Sequence, residues 1–177
     1  MLKFKLIQSK IRKRLVFLSL ASLMLCFTAE TSAQSDFSGR WQFDKSASSH
    51  GSMYYDYDGS IVRLVVQDGA TLTYSDIYIK PGNPDWETGK ETFRLDGNPE
   101  KVKGDDYSIT KSARWSADKK SVILSYLHTQ LMNGESRDFL NEETYILSED
   151  RKKLTIESYS KDPVQGEKRV TNVYNRK

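Results

Sequence analysis

The sequence predicts an all-β domain, an antiparallel up-and-down β-barrel of about nine strands, and three observations point to it. From Phe37 onward no window of eleven or more residues sets apolar side chains at the i, i+3, i+4, i+7 spacing of an amphipathic helix. Short alternating runs rich in Val, Ile, Thr, Tyr and Phe recur instead. A turn-forming cluster follows each run, as at Asp68-Gly69 and Gly97-Asn98-Pro99.

The first strand covers Gly39 to Phe43, with Trp41 and Phe43 on one face. The second runs from Ile61 to Gln67 and sets Val62, Leu64 and Val66 on one face. Asp68-Gly69 then reads as a hairpin turn, because Gly tolerates the positive φ such turns need. Further strands follow at Thr71 to Ile79, Glu91 to Leu95, Tyr107 to Trp115, Ser121 to Gln130, Arg137 to Leu147, Leu154 to Ser160 and Lys168 to Tyr174. Two hairpins share a pattern: Ser116-Ala117-Asp118-Lys119-Lys120 and Ser148-Glu149-Asp150-Arg151-Lys152. The Ser-x-Asp spacing lets both side chains bind nearby backbone N–H groups and hold the turn. Sequential strands with short connections pair antiparallel. Nine of them expose two edges unless the sheet closes, which favours a barrel over a two-sheet sandwich.

Residues 1–33 carry a basic stretch ending at Arg14, an apolar run from Leu15 to Phe27, and the small-residue exit Thr31-Ser32-Ala33. That order describes a secretory signal peptide cleaved near Ala33. The apolar run is too short for the roughly 20 residues of a membrane span. The chain is therefore expected to be exported, periplasmic or secreted, with residues 34–177 as one domain. Cleavage removes Cys26, the only cysteine, and with it any disulfide, thiol nucleophile or thiolate metal site. A lipoprotein role for Cys26 is disfavoured by the bulky Leu25 before it. The whole chain has 27 basic and 24 acidic side chains; residues 34–177 keep 21 and 23 of them. A near-neutral domain lacks the positive footprint of a nucleic-acid binder.

The segment Phe37-Ser38-Gly39-Arg40-Trp41 resembles the opening of the lipocalin and calycin families, which share a Gly-x-Trp on the first strand. Continued through Phe43-Asp44-Lys45-Ser46, it is similar to exported bacterial lipocalin-like proteins. Trp115-Ser116-Ala117-Asp118-Lys119 and Leu147-Ser148-Glu149-Asp150 resemble motifs on their later strands. The resemblance implies that Trp41 plugs the closed end of the barrel and that a basic residue near the C terminus, Arg169 or Arg176, covers it. It also implies a small apolar or amphipathic ligand in the barrel. This chain departs from lipocalins in ending a few residues after its last strand, without their packed helix, and in lacking a disulfide.

No catalytic constellation stands out. Nucleophilic catalysis needs a Ser or Thr beside a His and an orienting carboxylate. Only His50, in a polar loop, and His128, on a strand, are present. Glu142 and Glu143 are adjacent on a strand and point to opposite faces. Asp56-Tyr57-Asp58-Gly59-Ser60 lacks the third acidic ligand and closing Glu of a calcium loop. No enzyme activity, metal or cofactor is therefore expected.

Three strand rows carry a charge among apolar positions: Leu72, Tyr74, Asp76, Tyr78; Tyr107, Ile109, Lys111, Ala113, Trp115; and Glu143, Tyr145, Leu147. Such rows fit either a wet barrel interior or charges reaching solvent at strand ends. Alternation of connections places the loops at about 44–60 and 80–90 on one end of the barrel. They contain Tyr54, Tyr55, Tyr57 and Trp86, aromatics that either pack together or face a ligand. The candidate ligand-binding residues are Tyr54, Tyr55, Tyr57 and Trp86 at the mouth, with Tyr74, His128 and Tyr145 in the cavity. Two functions stay open: an exported binding protein for a small apolar or amphipathic ligand, and a cell-envelope structural or interaction protein with a filled barrel.

Overall fold

A computed structural model describes residues 34–177; the signal-peptide reading of residues 1–33, Cys26 included, lies outside them. Eleven strands run in chain order: β1 Gly39–Phe43, β2 Ser60–Gln67, β3 Thr71–Ile79, β4 Trp86–Glu87, β5 Glu91–Arg94, β6 Glu100–Lys103, β7 Tyr107–Trp115, β8 Ser121–Met132, β9 Glu135–Leu147, β10 Lys153–Asp162 and β11 Gly166–Arg176. All nine strands expected from the sequence are present. The two additional ones, β4 and β6, are two and four residues long and mostly exposed, so they lack the alternation that marks a strand. Among the described residues the only helical element is a 3-10 turn at Lys45–Ala47, capped by Asp44, whose Oδ1 accepts from the Ser46 and Ala47 amides. No helix among them is long and apolar enough to cross a membrane.

The strands form one antiparallel sheet ordered β4-β3-β2-β1-β11-β10-β9-β8-β7-β6, with β5 also on β3. Pairing of β1 with β11 joins the two ends of the domain through Trp41–Arg176 and Phe43–Tyr174 and removes the sandwich alternative. The sheet rolls up without closing its ladder. From the turn after β5 to β7 one main-chain bond runs from the Gly97 N–H to the Ala113 carbonyl, 2.9 Å. Side chains span the rest of this seam: Lys111 Nζ lies 3.7 Å from Glu91 Oε2 and 5.5 Å from the centre of the Phe93 ring. Full removal of sheet edges, the sequence expectation, is therefore not reached. Short strands and the exposed Lys101 and Lys103 protect the remaining edges.

Antiparallel register decides which face turns inward. On β2 it is Ile61, Arg63 and Val65, opposite Tyr78, Asp76 and Tyr74 of β3. The Val62, Leu64, Val66 row lies on the other face, where Val62 is fully covered, Leu64 half-buried and Val66 largely exposed. The interior at the end bearing the Asp68-Gly69 turn is packed solid by Phe37, Trp41, Val65, Leu72, Phe93, Val122, Leu154, Ile156 and Tyr174. This is the closed end.

Trp41 is fully buried there, and its indole N–H donates to the Phe37 carbonyl at 2.9 Å. The Arg176 guanidinium lies 4.4 Å from the indole ring, so the basic cover falls to Arg176 rather than Arg169. A side chain at Gly39 would meet Arg176 Nη1 at 3.2 Å, and its φ of 152° already favours glycine. The Gly-x-Trp spacing thus leaves room for the arginine to reach the indole.

The paired Ser-x-Asp turns close alike. Ser116 and Ser148 each donate to the following aspartate at 2.6 Å, and each accepts an amide from the next strand. Lys119 and Arg151 take the positive φ, 57° and 56°. Truncating the plug with Trp41→Ala is expected to cost about 3–5 kcal/mol, the range for buried aromatics. Equilibrium denaturation checks it, and an unchanged midpoint would make Trp41 peripheral.

Candidate functional site

The interior halfway up the barrel is organised by Arg63, which the row on the opposite face of β2 conceals in the sequence. Its guanidinium is buried and all five of its N–H groups are engaged. Nε and Nη2 grip Asp76 bidentately at 2.8 and 2.9 Å; Nη2 also donates to the Tyr54 hydroxyl at 2.9 Å. Nη1 donates to the Tyr145 hydroxyl at 2.8 Å and to Glu143 Oε2 at 3.4 Å. The Tyr54 and Tyr145 hydroxyls pass on to Asp76 (2.8 Å) and Glu143 (3.2 Å). Tyr74 stacks on the cation at 4.6 Å.

Burial works against the Arg63 charge. The surrounding Tyr145 and Tyr174 hydroxyls, the Asp76 bonds and Glu143 outweigh it and hold its proton more firmly than usual. Burial pushes the Tyr54, Tyr74, Tyr145 and Tyr174 hydroxyls well above the ordinary tyrosine value, only partly opposed by Arg63. The network therefore sets the guanidinium and neutral phenols around Asp76 and Glu143.

Above this network the interior is not filled. Among the inward positions of the neighbouring strands, Asn141, Ser158 and Ser160 are small or polar and do not pack the space. The result is a recess of about 230 Å³ lined by Tyr74, Glu91, Phe93, Leu124, Tyr126, Asn141 and Glu143. Tyr126 and Asn141 also line a second recess of about 510 Å³ at the mouth, with His128, Phe139, Ser160 and Lys168. The open end carries most of the exposed large apolar side chains: Met53, Trp86, Leu131, Met132 and Val164.

The residues expected to hold a ligand are distributed over five places. Tyr54 and Tyr145 hold Arg63 and are buried beneath the recess. Tyr74 forms a wall of the inner recess and His128 of the mouth recess. Tyr57 and Trp86 each pack 5.1 Å from Tyr78, a cluster flanking a third, external recess with Lys80 and Pro84. Tyr55 turns away to stack on His50 at 4.3 Å. The sequence reading missed Arg63, Glu91, Phe93, Leu124, Tyr126 and Asn141 as site residues. For Arg63 the signal existed: it interrupts the Ile61, Val65 row as Asp76 interrupts its own.

No protein-family model matches the sequence, and neither does any curated protein sequence. Among solved structures, the chain is similar to the zebrafish ileal bile acid-binding protein complexed with cholic acid. The two share 15% identity at a TM-score of 0.49, over 81% of this chain and all of that one. At that level the two chains share at most a strand arrangement.

Two hydroxyls on the network should behave differently. Tyr145→Phe leaves a buried Arg63 N–H without its acceptor and should cost about 1–3 kcal/mol. Tyr174→Phe removes a buried hydroxyl that has no protein partner and should be close to neutral or stabilising. Chemical denaturation of both variants checks the contrast. Because the folded pKa of these tyrosines lies above 10.0, their contribution is complete below about pH 10 and lost as pH rises further. An alkaline titration should show tyrosinate absorbance from the buried rings only as the fold opens.

Proposed function

We propose that this chain is an exported binding protein that takes a small amphipathic molecule through its open end. One observation carries the reading: the inward side chains fill the closed half of the barrel and leave a recess in the other half. By itself 230 Å³ is below the roughly 300 Å³ of ordinary ligand pockets. The mouth recess shares Tyr126 and Asn141 with it, and the two together suit a slender molecule. Phe93, Leu124 and Tyr74 offer apolar surface to its body, and Glu91, Asn141 and Glu143 offer polar contacts. The exposed apolar rim of Met53, Trp86 and Val164 would meet it first.

The rival reading, a filled barrel acting as an envelope interaction protein, draws on the solid closed half. The unfilled upper half weighs against it. Export itself rests on the order of residues 1–33 alone.

Asn141→Trp places a large ring where the two recesses meet, at a position already open to solvent. It should weaken binding of an environment-sensitive fluorescent amphiphile by about tenfold or more, the equivalent of about 1.4 kcal/mol. Val66→Ser, on the outer face, should leave binding intact. Circular dichroism and thermal melting serve as folding controls, and equal binding by folded Asn141→Trp would move the site elsewhere.

A further inference from the structure

We propose that the molecule taken by the interior recess is an organic cation, an amphipathic amine or quaternary ammonium compound rather than a carboxylic acid. The proposal rests on the binding reading above and adds the charge of the ligand's head group.

The first argument is the state of Arg63. It is the one cation on the floor of the barrel interior among the described residues, and it has no donor left. Asp76 takes two of its bonds, and Tyr54, Tyr145 and Glu143 take the others. A ligand carboxylate arriving there would have to displace a buried acceptor from a bidentate pair, which leaves that carboxylate uncompensated in a low dielectric.

The second argument is the lining itself. The recess presents two carboxylates, Glu91 and Glu143, and no basic side chain. Lys111 approaches from the seam, where it pairs with Glu91 at 3.7 Å and lies 5.5 Å from the centre of the Phe93 ring. Around the inner recess, Arg63 and Lys111 face Asp76, Glu91 and Glu143, a local excess of one carboxylate; Lys168 stands farther out, in the mouth recess. An ammonium group entering the recess would supply the missing charge.

Third, the remaining walls are aromatic. Tyr74 and Phe93 lie nearly parallel, ring centres 6.3 Å apart, and Tyr126 closes the side toward the mouth. Ring faces attract a desolvated cation and offer an anion nothing; Arg63 already lies 4.6 Å from the Tyr74 ring and Lys111 5.5 Å from that of Phe93, so Tyr126 is the wall without a cation of its own. Finally, the connections at the open end, residues 44–59, 80–90, 104–106, 133–134 and 163–165, hold seven acidic and three basic side chains. That field draws cations toward the mouth and repels anions.

Isothermal titration with three probes of equal alkyl length, a trimethylammonium, an alcohol and a carboxylate, each below its micelle concentration, tests the proposal. The ammonium probe should bind about tenfold or more tighter than the carboxylate, and also tighter than the alcohol, a preference that shrinks with salt. Glu91→Gln should reduce the preference, and Glu91→Gln with Glu143→Gln should abolish it. Glu91 is partly exposed at the seam, so the single variant stays informative if the double variant fails to fold. An ammonium probe binding no tighter than the alcohol or the carboxylate overturns the cation assignment and leaves the binding reading standing. If none of the three binds, the binding reading falls and this inference with it.

Discussion

A guanidinium buried inside a β-sheet has to be satisfied completely or it unfolds its surroundings. Desolvating a charge costs several kcal/mol, recovered only with good ion-pair geometry and every donor used. Arg63 meets that demand by drawing on elements far apart in the chain. Asp76 comes from the adjacent strand β3, Glu143 and Tyr145 from β9 across the barrel, and Tyr54 from the loop before β2. Rings from β3 and β11, Tyr74 and Tyr174, flank the cation. Only a rolled sheet brings these groups to one point, so curvature and charge satisfaction are one condition.

That condition divides the barrel into two unlike halves. Below Arg63 the interior is apolar and close-packed around Trp41, which Arg176 seals from outside. Above it, small and polar inward residues on β9 and β10 leave the space unfilled. The polar layer between the halves serves both: its neutral phenols and paired charges end the core, and Glu143 and Tyr74 become the floor of the recess.

The unpaired seam belongs to the same economy. Chain length between β5 and β7 is spent on the 95–99 turn and the short β6 strand rather than on another full ladder. Lys111 crosses to Glu91 and Phe93 where backbone bonds do not. On the far side of the sheet, the 44–52 segment continues as the partner of β11 once β1 has ended. The Ser49 amide donates to the Thr171 carbonyl at 2.8 Å, and the Ser48 hydroxyl accepts from the Val173 amide at 2.9 Å. Serine oxygens there stand in for a strand.

Local chemistry made much of this legible from sequence. Period-two alternation marked nine strands, Ser-x-Asp and Asp-Gly marked the turns, and the resemblance carried by Gly39-Arg40-Trp41 implied a buried indole. Each depends on neighbours within a few residues, and the folded chain keeps them all. The three rows with an embedded charge were visible too, but not what those charges meet. Whether Asp76 and Glu143 face water or each other depends on a cation supplied by a third strand, and on β2 the more hydrophobic row turned out to be the outer one. Val62, Leu64 and Val66 outweigh Ile61, Arg63 and Val65 in any local count of hydrophobicity. Register against β1 and β3 overrides that count, because Trp41 and Asp76 sit directly opposite Arg63 and share its face. Alternation in one strand names two faces; only pairing with its neighbours decides which of them is the inside.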